Sequence, residues 1–288
     1  MAVPSSIERI EPLPAIAVAL LNRLPLEPAE VRDLQASLGI ELLNSASQVV
    51  LASGVVAAEN ADPRSVLEQI SPARFAEIAT TILIRDYLKR AFTFSGDRRY
   101  WRYTLACAIC CAELAPPGED HGILAYASGL LHDIGRLALI AAYPDKYSNL
   151  LALADRMFAT EQPFDILEYE RMLFGFDHFA AGAWLAATWK LPPWLLAIVG
   201  RFHDQASSEH RTLVATVRAG TRLAHSIGFG YLEAAPRAHI RDILRQLPAA
   251  WEHWKVLDRW QYGEEHMRAK IQSQLNWYAD PYDSLTEP

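Results

Sequence analysis

Cysteine is scarce in this chain and confined to one place. The 288 residues include three cysteines, Cys107, Cys110 and Cys111, which lie within five consecutive positions. Cysteines this close together cannot cross-link distant segments, as the disulfide framework of a secreted protein does. The sequence therefore predicts a protein of a reducing compartment, in which the three thiols serve as small apolar packing groups.

Clustered positive charge and long apolar runs are also missing. No cluster of four or more Lys and Arg residues occurs, and the formal net charge is −7 with an isoelectric point near 5.7. Because nucleic acids and anionic membranes attract concentrated positive charge, we expect neither as a partner. Residues 1–14 lack the basic and apolar regions of a signal peptide, and no run reaches about 18 uninterrupted apolar residues. These absences predict a cytoplasmic protein.

The chain also lacks the alternating, β-branched runs that indicate strands. Hydrophobic residues make up 51% of it and recur at three- and four-residue spacing in nearly every long segment. This pattern predicts an all-α fold, a bundle of many helices with breaks at residues 116–118 and 192–193. The predicted helices span residues 28–38, 40–52, 72–92, 98–115, 121–142, 145–158, 163–173, 177–190, 193–204 and 209–228, with Ser71 and Pro72 at the start of the third.

The most apolar segment, residues 121–143, carries a polar pair in its middle. His132 and Asp133 adjoin there, where a buried polar group needs a hydrogen-bond partner and an unpaired charge is costly. One interpretation is a buried pair that hydrogen-bonds neighbouring helices. The other is a metal site, because imidazole and carboxylate together suit divalent cations and neighbouring helices can supply further ligands.

Two further histidines fall on apolar helix faces. His178 shares a face with Leu185, and His203 follows Val199 on another. A single histidine of this kind usually satisfies its hydrogen bonds within the core. Three of them in successive elements favour a metal site.

Arg136 lies one helical turn after His132, on the same predicted face. A guanidinium in that place can bind a phosphate group, or it can pair with a neighbouring carboxylate. Arg136 is therefore both a candidate phosphate-binding residue and a candidate structural ion-pair partner.

These motifs together resemble a known family. The stretches LLHDIGRLAL, FGFDHFAAGAWLAATWKLPPWLLAIVGRFHD and VRAGTRLAHSIGFG are similar to the HDOD family, a branch of the HD superfamily of all-helical metal-dependent phosphohydrolases. Upstream, LPAIAVALLNRL, IELLNSASQV, ISPARFAEI and YWRYTLACA follow in the order that the family shows. The resemblance covers roughly residues 10 to 230.

The resemblance implies a metal-ligand set from which this chain departs. The parent pattern takes a histidine before the doublet, the His-Asp doublet, two later histidines and a final aspartate. His132, Asp133, His178 and His203 match the doublet and the later histidines. Tyr103 stands at the first-histidine position, and we place the final aspartate at Gly220, so two of the six ligands are lost.

The loss of two ligands bears on catalysis. A phenol is a poor ligand at neutral pH and glycine offers no side-chain ligand, so a two-metal phosphohydrolase centre is not expected. A single metal held by His132, Asp133, His178 and His203 remains an option, with Asp133 as the catalytic residue if the site is active. One carboxylate and three imidazoles favour Zn, Fe, Ni or Mn over Mg.

The resemblance also implies an organisation of the chain. Residues 1–95 are predicted to form the N-terminal helical part of an HDOD domain, and residues 96–230 an HD-like helical core. Residues 231–288 are predicted to be a C-terminal helical extension and tail, in which Trp251 and Trp254 recur at helical spacing.

Two functions follow as expectations. The first is a non-catalytic regulatory protein of bacterial signal transduction, which binds signalling proteins or a small ligand such as a nucleotide. The second is a metal-dependent phosphohydrolase or phosphodiesterase with a reduced metal site, in which Arg136 binds phosphate.

Overall fold

The computed structural model describes residues 5–56, 62–92, 98–116, 119–200, 210–232, 234–247 and 263–278. Within these ranges all regular structure is helical and no strand is found, so the all-α prediction is confirmed. The helices are α1 (Ser5–Glu8), α2 (Ala15–Arg23), α3 (Pro28–Ser37), α4 (Ile40–Ala52), α5 (Pro63–Leu67), α6 (Pro72–Ala91), α7 (Arg98–Leu114), α8 (Glu119–Leu131), α9 (Ile134–Ala142), α10 (Pro144–Ala159), α11 (Ile166–Phe174), α12 (His178–Thr188), α13 (Pro193–Val199), α14 (Arg211–Ala224), α15 (Ile240–Leu244) and α16 (Glu264–Trp277).

Local capping signals set where the helices begin. The Ser71 hydroxyl accepts a hydrogen bond from the Arg74 backbone N–H at 3.2 Å, and Pro72 occupies the first position of α6, as predicted. The Asp177 carboxylate caps α12 in the same way, at 3.0 Å from the Ala180 backbone nitrogen. This cap makes His178 the first residue of α12.

The predicted single helix over residues 121–142 is wrong. The structure divides it into α8 and α9, and His132 and Asp133 form the turn between them. The physical reason is packing, because α8 lies mainly against α7 whereas α9 lies against α12. By length and composition alone, residues 121–142 could cross a membrane, but 89% of their apolar window is buried inside the protein.

Close backbone contacts between helices fix the core around this turn. An added Cβ atom at Gly129 of α8 would lie 2.7 Å from the Ala108 Cα of α7. At Gly135 of α9, it would lie 2.5 Å from the Gly182 nitrogen of α12 and would also collide with the His178 carbonyl oxygen. Glycine therefore lets α9 approach α12 closely enough to bring Asp133 and Arg136 beside His178.

The described C-terminal part combines two helices with a non-helical segment over residues 234–239. Residues 225–229 form a turn of π-helix after α14, and α15 and α16 follow. The helix α16 is held by an ion pair between Lys270 and Glu113 and by a 2.9 Å hydrogen bond from Arg85 Nη1 to the Tyr278 carbonyl oxygen. Trp251 and Trp254 lie outside the described residues, and the three-part division of the chain stays a prediction.

The contact between α9 and α12 has a testable consequence. Gly135→Ala is expected to lower the free energy of unfolding by about 1–3 kcal/mol, because backbone atoms of α12 leave no room for a methyl group. Gly122→Ala in α8 is the matched control, since no atom lies within 4 Å of the added Cβ atom. The control is expected to be neutral or to stabilise by up to about 1 kcal/mol, as alanine favours helix.

Urea denaturation of both variants measures the difference. Equal effects of the two substitutions would show that the helices are further apart than described.

Candidate functional site

The site is built around the turn between α8 and α9. His132 and Asp133 are both buried there, with 6% and 4% of their surfaces exposed. Such burial requires partners for each polar atom.

His132 is held as a neutral imidazole. Its Nδ1 lies 2.9 Å from the Gly129 carbonyl oxygen and donates to it, so Nε2 is left as the acceptor. The Tyr103 hydroxyl lies 3.1 Å from that Nε2 and donates to it. Burial lowers the pKa of His132 and raises the pKa of Tyr103 well above its usual range. Tyr103 thus contacts the nitrogen that would otherwise be a metal ligand.

His178 is oriented by a carboxylate that the sequence analysis missed. Glu170 of α11 has no exposed surface, and its Oε2 accepts hydrogen bonds from the His178 Nδ1 at 2.6 Å and the His178 backbone nitrogen at 2.8 Å. Its other oxygen accepts a bond from the Tyr147 hydroxyl. Burial raises the pKa of Glu170, but the hydrogen bond from His178 and the charge of Arg136 outweigh burial and lower it.

The sequence does carry a signal for Glu170. It lies four residues after Ile166 and four before Phe174, on the same face of α11. A charged residue in register with apolar ones on one helix face indicates a buried partner.

Arg136 lies between the polar groups of this site. Its Nε donates to Asp133 Oδ2 at 2.5 Å, and its Nη1 donates to the Tyr147 hydroxyl at 2.9 Å and lies 3.8 Å from Glu170 Oε1. Its Nη2 is 3.4 Å from His178 Nε2. Although burial opposes its charge, the Coulomb attraction of Asp133 and Glu170 keeps the pKa of Arg136 well above its usual value. The ion-pair interpretation of Arg136 therefore describes its contacts in this structure.

The donor set of the described residues does not fit a metal centre. Within the described ranges, no three His, Cys, Asp or Glu side chains are arranged to hold a metal ion. The Arg136 guanidinium lies against Asp133 and His178, and its positive charge repels a divalent cation at that place. His203 lies outside the described residues, so the four-ligand site stays a prediction.

Gly220, the predicted final-ligand position, and its neighbour Thr221 have different surroundings in the structure. Gly220 packs against α7, where an added Cβ atom would lie 2.9 Å from both the nitrogen and the Cα of Cys111. Thr221, the next residue, lines a cavity together with Tyr103, Asp133 and Arg136. Thr221 is therefore the residue that faces the site at this point of α14, and Gly220 serves a close helix contact.

Two cavities flank Arg136. Their volumes are about 330 Å³ and about 300 Å³, at the lower limit of small-molecule pockets. Tyr103, Asp133 and Arg136 line both, so these residues form the partition between the cavities. The other polar and aromatic lining residues are His132, Phe164, Asp165, His178 and Phe179 in the first cavity and Thr221, Arg222, His225 and Tyr231 in the second.

Comparison with known proteins identifies the domain. The family model described as the HDOD domain matches residues 72–205. The chain carries an HDOD domain. The match begins at Pro72, the first residue of α6, so α1 to α5 precede the matched range.

Solved structures share the fold of this chain over nearly its whole length. A proposed phosphohydrolase from Shewanella amazonensis SB2B is 19% identical with a TM-score of 0.66, and the match covers 96% of this chain and 97% of that one. An HDOD domain protein with unknown function from Geobacter sulfurreducens is 22% identical with a TM-score of 0.65, over 98% and 92% of the two chains. At these identities the likeness shows the fold alone, and it includes α1 to α5.

Two further matches cover a smaller share of the matched protein. A proposed signal transduction protein from Marinobacter aquaeolei VT8 is 18% identical with a TM-score of 0.59, over 94% of this chain and 64% of that one. An uncharacterized protein from Treponema pallidum (strain Nichols) is 23% identical over 244 residues, covering 75% of this chain. This chain spans about half the length of that relative, 46%.

The contribution of the Arg136 contacts to stability can be measured. Arg136→Lys is expected to lower the free energy of unfolding by about 3 kcal/mol or more, because a lysine ammonium cannot reproduce the planar fork between two buried carboxylates. The control is Arg268→Lys, whose partner Glu264 lies 2.7 Å away on the exposed surface of α16. Its expected cost is below about 0.5 kcal/mol. Equal losses in urea denaturation would contradict the described network.

The position of the final ligand on α14 can be tested with metal. Tyr103→His with Thr221→Asp is expected to bind Mn²⁺ at least about tenfold more tightly than the wild type, since it restores both lost ligands beside Asp133. Tyr103→His with Gly220→Asp is expected to gain no affinity and to lose stability, because the new side chain meets Cys111. Isothermal titration calorimetry measures both affinities. A gain in Mn²⁺ affinity in the Gly220 variant alone would show that the final ligand position is Gly220.

Proposed function

We propose that this protein is a regulatory HDOD protein of signal transduction that acts through binding of a protein or a small ligand. In this proposal the polar pocket around His132 and Asp133 is held together by ion pairs rather than by a metal centre. Cytoplasmic localisation and a partner among signalling proteins belong to the same proposal.

One observation carries it. The Arg136 guanidinium binds Asp133 at 2.5 Å and approaches His178 Nε2 to 3.4 Å. It therefore contacts two of the candidate metal ligands, Asp133 and His178. The hydroxyl of Tyr103 donates a hydrogen bond to a third candidate ligand, His132. A phosphohydrolase needs those atoms for its metal ions and for substrate.

The alternative is a metal-dependent phosphohydrolase, and one feature favours it. Both His132 and His178 use Nδ1 for a hydrogen bond to an oxygen, which leaves Nε2 as an acceptor beside the same cavity. Metal-ligating histidines are oriented in this way. The solved structures do not decide between the two functions, since proteins of both proposed kinds share the fold.

Metal content and turnover separate the two functions. Protein purified without chelator is expected to contain less than about 0.1 equivalent of any transition metal and to leave bis(p-nitrophenyl) phosphate intact under added Mn²⁺. Mass spectrometry of the metals and absorbance of released nitrophenol provide the two readouts. Turnover that Asp133→Ala abolishes, with an unchanged unfolding temperature, would establish the enzyme instead.

A further inference from the structure

Charge is distributed unevenly along the chain. Residues 210–247 contain six arginines and two acidic residues, Glu233 and Asp242, a formal charge of +4. Since the whole chain carries −7, the other 250 residues carry −11. The basic residues are spaced singly along the sequence, so no run of positive charge reveals them.

The fold gathers most of these arginines on one side. Arg237, His239, Arg241 and Arg245 are exposed and line a groove of about 780 Å³ next to α15. Arg222 lies close by, because its Nη1 donates a hydrogen bond to the Gln246 side chain. We call these five residues the basic face: Arg222, Arg237, His239, Arg241 and Arg245.

The charges of the basic face are available. Its one ion pair among the described residues joins Arg245 to Asp242 at 3.2 Å, and both side chains are more than half exposed, at 72% and 55%. Such a pair is weak in water. Arg237 and Arg241 form no ion pair with any described residue, so their positive charges are open to a partner.

The groove offers apolar surface as well as charge. Ala238, Ile240 and Leu244 line it between the arginines. The two carboxylates that also line it are paired, Asp242 with Arg245 and Glu264 with Arg268. Ala238 also lines the second cavity beside Arg136, and the Ser226 hydroxyl donates to its carbonyl oxygen at 2.8 Å. The segment that carries the basic face is thus also a wall of the polar pocket.

We propose that the basic face binds an acidic segment of a protein partner. Positive side chains around an apolar floor match a segment in which Asp and Glu alternate with apolar residues. A nucleic acid is disfavoured, because duplex binding takes about six to ten phosphate contacts and the remaining −11 charge repels a long polyanion. An acidic protein segment would be the partner in the proposed regulatory role. Its binding to the basic face does not depend on whether the polar pocket holds a metal.

A matched pair of charge variants tests this surface. The first is R237Q/R241Q/R245Q, and the second is R23Q/R32Q/R64Q, which removes three exposed arginines of the N-terminal helices. Both lower the net charge by the same amount. The probe is a fluorescein-labelled twelve-residue peptide that repeats Glu-Glu-Gly-Leu, and its anisotropy gives the dissociation constant.

The wild type and the N-terminal variant are expected to bind the peptide alike. R237Q/R241Q/R245Q is expected to bind it at least about tenfold more weakly and with a smaller dependence of affinity on salt. Circular dichroism checks that all three proteins unfold at the same temperature. The residues changed are exposed, so the fold is expected to persist.

Several results would overturn the inference. They are absence of peptide binding by the wild type, equal weakening in both variants, and tighter binding of a twenty-nucleotide single-stranded DNA than of the peptide. Self-association of the wild type that the first variant abolishes, seen by light scattering, would assign the face to a second copy of this chain. Metal content and phosphodiester turnover of the first variant report on the polar pocket and not on the basic face. Failure of the proposed regulatory function can therefore be told apart from failure of the proposed binding surface.

Discussion

The burial of one positive charge between two carboxylates is the constraint on which the site depends. Arg136 is tolerated inside the protein because Asp133 and Glu170 lie beside it, and Glu170 is tolerated because His178 and Tyr147 donate to it. These groups belong to α9, α10, α11, α12 and the turn before α9. One set of contacts therefore joins four successive helices, and it uses the same atoms that a metal ion would need.

The helices were predictable because their signals are local. Apolar spacing and the capping residues Ser71 and Pro72 located α6, and the break at residues 192–193 precedes α13 as predicted. The division of residues 121–142 was not predictable in this way, because the sequence is equally apolar on both sides of it. The break depends on α8 and α9 packing against different helices, and such partners are set by the tertiary fold.

The site was predictable in part. His132, Asp133, His178 and Arg136 stand together in the structure, as the motif suggested. Glu170 was missed because an acidic residue in an amphipathic helix usually faces water, and only its exact register with apolar neighbours marks it as buried. The assignment of the final ligand to Gly220 rather than Thr221 stays a prediction, since a motif cannot tell which of two adjacent residues faces a cavity. Contacts between helices decide that.

The glycine contact between α9 and α12 also shapes how the molecule can move. With no side chain between the two backbones at Gly135 and Gly182, the helices form a seam that cannot slide without collision. We therefore expect α9 and α12 to move as one unit, with amide hydrogens that are among the slowest of the domain to exchange with solvent. A rearrangement that admits a ligand is then expected at the borders of the cavities, such as the π-helical turn over His225–Phe229, which contains Gly228 with a φ of +96°.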